Sequence, residues 1–381
     1  MTAVADETSG TRSRMLARWA PATVAAMIYP LALRLFVEAI HAVRGAAGVD
    51  RGLWILGALA GLTLIIAPAA LALRSLFLIR LDTSAQAIAA RRLLHFAFAV
   101  PPAYLIWIRI AGGMNALIGN AASGLISWWA LWIVLGVLVW NASRAAQAPG
   151  ANTAGNAGTA GSGERTSSAD RAPAALLDPP PASFLSTVVG RSRKVHRLAV
   201  VAILASFLVA HLANHLFALW SVPAQHTVMM ALRTWYRAIW MEPLILALFV
   251  VAALTGLLRF GRLSRGQSDG FRVVQTASGV YLAFFLVSHI WATLGARYHG
   301  IDTNWAFASG GRAGMLASGV AAGVLVYYSF ALLAVAAHAG LGLRMVLLSR
   351  RVRAAAANRS ARLVFALGSA MSALIVAALL G

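Results

Sequence analysis

The 381-residue chain contains no cysteine. Disulfides, thiol catalysis and iron–sulfur ligation by this chain are thereby excluded, and any redox chemistry has to be carried by a cofactor held in another way. Charge is sparse as well: 11% of residues are charged against 60% hydrophobic, with a mean hydropathy of +0.76. Such a composition exceeds what one soluble core can bury, and the apolar runs reach the ~20 residues a helix needs to cross a bilayer. No flavin or nucleotide fingerprint interrupts them, so the chain would not be catalytic alone. Acidic residues are few, 11 against 32 lysines and arginines, for a net charge of +21. The arginines gather at the ends of apolar runs and form no single basic domain, a pattern of membrane topology and not of nucleic-acid binding.

A polar, basic stretch carrying Arg12, Arg14 and Arg18 precedes a first span near residues 20–43, too long and too charged for a cleaved signal peptide. Within it Arg34 and Glu38 stand four apart and can pair on one helix face, with His41 one turn on. This reads first as an orienting charge pair, with proton handling as the alternative. Further spans are expected near 52–79, 93–111 and 114–140, the third kinked by Pro101 and Pro102. Residues 141–184 then change to Ala, Gly, Ser, Thr and Pro, a composition that cannot bury a core and is expected to form a disordered linker. Five spans follow, near 195–219, 241–259, 274–296, 313–346 and 361–380. The expected architecture is an all-α polytopic transmembrane bundle of about nine spans. It divides into a four-span region (1–140) of unassigned role, the linker (141–184) and a five-span domain (185–381).

Charge bias orients these spans. Within the C-terminal half, one side collects fourteen basic residues, among them Arg191, Lys194, Arg197, Arg259, Arg272, Arg344 and Arg351; the other has Arg233, Arg237, Arg297 and Arg312. The first side is expected to be cytoplasmic. Arg12 to Arg18, the Arg74 to Arg92 loop and Arg144 agree, which places the N-terminus and linker inside a bacterial cytoplasmic membrane and Gly381 outside.

Orientation converts histidine positions into depths. His211 lies 14 residues beyond Arg197 and His289 lies 17 beyond Arg272, so both sit about 21 to 26 Å from the cytoplasmic helix ends. His338, six residues before Arg344, is about 9 Å from the inner end. An imidazole in hydrocarbon is costly, so these are functional candidates, with helix-to-helix hydrogen bonding the competing reading. Two histidines on different helices at one depth can clamp a haem iron from both faces. Ala205, Ala210, Gly279 and Ala283 supply room beside them.

RKVHR opens the first of the five C-terminal spans and AHLANH closes it. TASGVYLAFFLVSHIW places a glycine ten residues before His289, and AAHAGLGLR surrounds His338. In their order, residues from about 190 to 381 resemble the five-helix cytochrome b subunit of succinate:quinone oxidoreductases, the membrane anchors of succinate dehydrogenase and fumarate reductase. The resemblance covers half the chain. It implies haem b, quinone as substrate, and iron–sulfur and flavoprotein partner subunits, with two haems each held by two histidines. His211 and His289 match the outer pair, His338 matches one inner ligand, and Glu242 resembles the family's carboxylate near the outer quinone-reacting region. Glu242 also reads as a helix N-terminal acid complementing the macrodipole.

The chain departs from that pattern in MEPLILALFVVAALTGLLRF, which has no histidine: Ala252 stands where the inner ligand would fall, four residues before Gly256. One haem is therefore expected, the inner one being absent, weakly held or ligated from elsewhere, with His95 at the right depth. His215 reads as a polar contact or propionate neighbour, His196 as part of a headgroup-anchoring cluster, Tyr298 and His299 as solvated, and most tryptophans as interfacial anchors. The first four spans read as a structural addition; an echo that sets Arg109 on His211 and Ser123 on Ser278 admits a decayed duplicate. Other readings are a stand-alone haem-binding membrane protein and a haem-free structural or transport bundle.

Overall fold

A computed structural model describes residues 2–118, 123–145, 184–266, 269–309 and 321–380. All regular structure among them is helical. The N-terminal half comprises α1 (Thr2–Gly45), α2 (Gly48–Leu78), α3 (Ala85–Phe98), α4 (Val100–Ile118) and α5 (Ser123–Ala145). The C-terminal half begins with α6 (Phe184–Ile203), a π turn (Leu204–Leu208), α7 (Val209–Leu216) and a short 3-10 turn (Phe217–Leu219), which together make one long rod. After it come α8 (Val222–Tyr236), α9 (Met241–Leu263), α10 (Gly270–Tyr298), the one-turn α11 (Trp305–Ala308), α12 (Ala321–Ser349) and α13 (Ala354–Leu380). Among the described residues eight helices are long and apolar enough to cross a membrane, and α3 with α4 makes a ninth if that bent pair counts as one span. The chain is an all-α, multi-pass membrane bundle.

The third span differs from the single kinked helix expected at 93–111: α3 starts at Ala85 and meets α4 at an angle of 75°. Pro101 and Pro102 lack the N–H groups that would bond the carbonyls of Ala97 and Phe98, so the helix cannot run on, yet both prolines suit the first turn of α4. The fourth span begins at Ser123 and α5 runs through to Ala145, taking in the first five residues assigned to the linker; residues 146–183 lie outside the described residues.

In hydrocarbon a backbone polar group has no water to turn to, so each proline in a span must be compensated. Pro30, inside α1, withholds a donor from the Ala26 carbonyl, and the Trp128 indole N–H on α5 donates to it instead at 3.0 Å. Trp129 donates to the Met27 carbonyl at 3.1 Å. Glycines set the closest helix crossings. A Cβ at Gly61 would come within 2.8 Å of the Phe36 backbone, joining α1 to α2, and one at Gly340 within 2.8 Å of the Ala361 carbonyl, joining α12 to α13.

The two halves share one packed interior. Val273 and Ala277 of α10 are buried in the cluster formed by α1, α2, α3 and α5, and Phe284 and Tyr281 touch Phe96 and Phe98 at ring separations of 5.4 and 6.1 Å. Arg91 of α3, fully buried, locks the halves at one end: it donates to the carbonyls of Ile79 (2.6 Å) and Asp82 (2.5 Å) on its own side and of Ser264 (2.7 Å) and Arg265 (2.6 Å) after α9. Its charge is thus dispersed over four carbonyl dipoles, with the Asp82 carboxylate acting on it through space.

Arg91→Leu is expected to strand those carbonyls and lower stability by about 3 kcal/mol, with Arg91→Lys in between because an ammonium cannot span the same fork. Thermal unfolding in detergent, compared across the three proteins, measures it.

Candidate functional site

The π turn ends three residues before His211, and its extra residue per turn resets the register of everything beyond it. His211 on α7 then faces His289 on α10, with ring centroids 6.3 Å apart and planes at 61°. Each ring is stacked on a phenylalanine one turn earlier in its own helix: His211 on Phe207 (4.8 Å, 18°) and His289 on Phe285 (5.2 Å, 10°). The Tyr328 hydroxyl on α12 is 3.1 Å from His289 Nδ1. His215 lies beside this pair, 5.1 Å from His211 and 6.0 Å from Trp305, and its Nδ1 has no partner among the described residues.

That spacing is chemically meaningful. Two imidazoles bound trans to one iron through metal–nitrogen bonds of about 2.0 Å, with about 1.15 Å more from each nitrogen to its ring centre, stand about 6.3 Å apart. His211, His289 and His338 are each partly buried among the helices. A flat macrocycle with two axial histidines fits such an arrangement. Among the described residues no group of three or more histidines, aspartates or glutamates is placed to hold a metal ion, but a haem supplies four ligands of its own and asks the protein for two.

His338, for which the sequence offers no histidine on α9 and only His95 by depth, lies beside His196 of α6, at 6.2 Å between centroids and 84° between planes. His338 Nδ1 is 3.0 Å from the Gln275 carbonyl on α10, and His196 Nδ1 is 3.0 Å from the Ala252 carbonyl on α9, with Thr255 Oγ1 at 3.1 Å. A carbonyl only accepts, so Nδ1 carries the hydrogen in both rings and Nε2 presents its lone pair. Each accepting carbonyl lies four residues before a glycine, Gly256 after Ala252 and Gly279 after Gln275, and that glycine bares the helix face to the ring. A Cβ at Gly279 would lie 2.8 Å from His338 Cε1, and one at Gly256 3.5 Å from His196 Cε1. By sequence His196 reads as a headgroup anchor. The signal that points inward is its spacing from His211: fifteen residues, about four helical turns, put both on one side of the rod. Ala252 contributes through its backbone what its side chain cannot.

The remaining candidates are placed as follows. Glu242, in the first turn of α9, is held through both carboxylate oxygens by Arg297 at the end of α10. Arg233 with Asp302 (2.9 Å) and Arg237 with Thr303 (2.8 Å) tie the same end of the bundle. His95 is fully buried, its Nδ1 2.6 Å from the Arg91 carbonyl and its ring edge-on to Phe260, with no other histidine among its ring contacts. Arg34 and Glu38 pair at 2.7 Å on an outward face of α1, and His41 is exposed. Tyr298 is exposed. Comparison with family models, with curated proteins and with solved structures finds no match to this chain.

The two glycines yield a contrast. Gly279→Ala must push the His338 ring aside and is expected to lower stability by about 1–3 kcal/mol. Gly256→Ala meets only ordinary contact and, through better helix propensity, is expected to be neutral or to raise stability by up to about 1 kcal/mol. Thermal unfolding in the same detergent compares them.

Proposed function

We propose that the chain is a haem b-containing, quinone-reactive membrane anchor of the succinate dehydrogenase/fumarate reductase type, passing electrons between an iron–sulfur partner and quinone. The observation that carries this reading is the His211–His289 separation of 6.3 Å on two different membrane-crossing helices. A bound haem supplies one-electron chemistry at a potential set by its two imidazole ligands and their hydrogen bonds. His211 and His289 would hold the iron, and the Tyr328 hydroxyl, 3.1 Å from His289 Nδ1, orients that ring. Phe207 and Phe285 cover one face of each imidazole. Glu242, tied to Arg297 at the same end of α9 and α10, is the group that takes up or releases protons for quinone. Flavoprotein and iron–sulfur subunits complete the complex on the arginine-rich side.

That side is the cytoplasm of a bacterium. Fourteen basic residues against four in the C-terminal half support this, and so does parity: only if α3 and α4 together cross once do Arg92, Arg144 and Arg197 share a face. The N-terminus and linker are then cytoplasmic and Gly381 outside.

The purified protein is expected to show the reduced-minus-oxidised bands of a low-spin, bis-histidine haem b. His211→Ala and His289→Ala should each remove them. A preparation with no low-spin haem would leave the pair a packing contact and overturn the reading.

Because the chain has no cysteine, single-cysteine variants map its faces directly. Thr83→Cys and Ser349→Cys, both exposed, should react with a membrane-impermeant maleimide only in inverted vesicles; the exposed Trp220→Cys and Tyr298→Cys should react in intact cells. The reverse pattern would refute the orientation.

A further inference from the structure

We infer that His196 and His338 form a second haem-iron site, at the arginine-rich end of the bundle, in which a histidine of α6 takes the role that α9 leaves vacant. This rests on the haem reading above, but on different residues. Three observations carry it. The ring centroids stand 6.2 Å apart, within about 0.1 Å of the separation that trans ligation to one iron requires. Both rings are tautomerically fixed from outside, since Nδ1–H donates to the Ala252 and Gln275 carbonyls at 3.0 Å each. Among the described residues no hydrogen bond reaches either Nε2, so both lone pairs are left free. A backbone carbonyl behind each ligating imidazole is what orients a metal-bound histidine and raises its basicity. By that criterion this pair is better prepared than His211 and His289, of which, among the described residues, only His289 has an Nδ1 partner.

The third observation is charge. Arg259 lies close enough to both imidazoles, and to Arg193 and Arg272, for their charges to act on one another. None of these three arginines has an ion-pair partner among the described residues. Arg193 and Arg272 are exposed, but Arg259 is only partly so and acts on both rings; the propionates of a haem held between them would give it an anionic partner. A packing contact between histidines accounts for the ring separation and the Nδ1 bonds; it gives Arg259 no anion.

The test is haem stoichiometry and ligation in the full-length protein. A pyridine haemochrome assay should give two haems per chain. His196→Ala and His338→Ala should each give one, with the spectrum of the remaining haem unchanged, while His211→Ala should remove the other. That retained haem reports that the bundle is folded. Should His196→Ala lose both, His196→Met decides: a ligand position keeps its haem as a histidine–methionine species, with a methionine-to-iron charge-transfer band and a raised midpoint potential. Failure of that species to form would overturn the inference. One haem in the unmodified protein, or two that persist in His196→Ala, would overturn the inference and leave the function proposed above standing; no haem at all would remove both.

Discussion

The fold is governed by the accounting of backbone carbonyls in a medium without water. Where Pro30 removes an internal donor, a neighbouring helix supplies one: the indole of Trp128 bonds the Ala26 carbonyl. Where the chain turns between spans, the loop carbonyls of Ile79, Asp82, Ser264 and Arg265 converge on the single guanidinium of Arg91. The imidazoles of His196 and His338 obey the same logic, resting Nδ1 on the Ala252 and Gln275 carbonyls. Satisfying the backbone thus orients these side chains before any ligand does.

The N-terminal half acquires a role from this packing. It shares a core with α10, through Val273 and Ala277, and places Phe96 and Phe98 against Phe284 and Tyr281. The helix that carries His289 is therefore braced along its N-terminal half by α2, α3 and α4. Arg91 adds an anchor at the end of α9, the helix whose Ala252 carbonyl holds His196. A wall that fixes two of the helices around both ring pairs is a sufficient physical reason for these helices to stay attached.

Most spans were legible in the sequence because an apolar run of helix length has few other options, and depth along the helices sufficed to pair His211 with His289. The bend at Ala99 was legible in cause, two prolines, but not in size, because a 75° turn depends on what α3 and α4 pack against. His196 was missed for a different reason. Its place at the opening of a basic span reads as a headgroup anchor, whereas one rod carries two histidines fifteen residues apart and the neighbouring α9 offers the first of them a carbonyl. Backbone contributions leave no residue-type signature except the glycine that makes room for them, and Gly256 is that mark. Arg91 looks by sequence like a topological charge; nothing in one sequence distinguishes an arginine at a headgroup from one folded back into loop carbonyls.

Helix α10 holds the Gln275 carbonyl, Gly279 and His289 within fifteen residues, so it is a common shaft to both ring pairs. Turning it about its axis would shift His289 and the seat of His338 in the same motion. The two levels are therefore mechanically geared through this helix, and any adaptation that tunes one without the other has to be made on α6 and α7 or on α12.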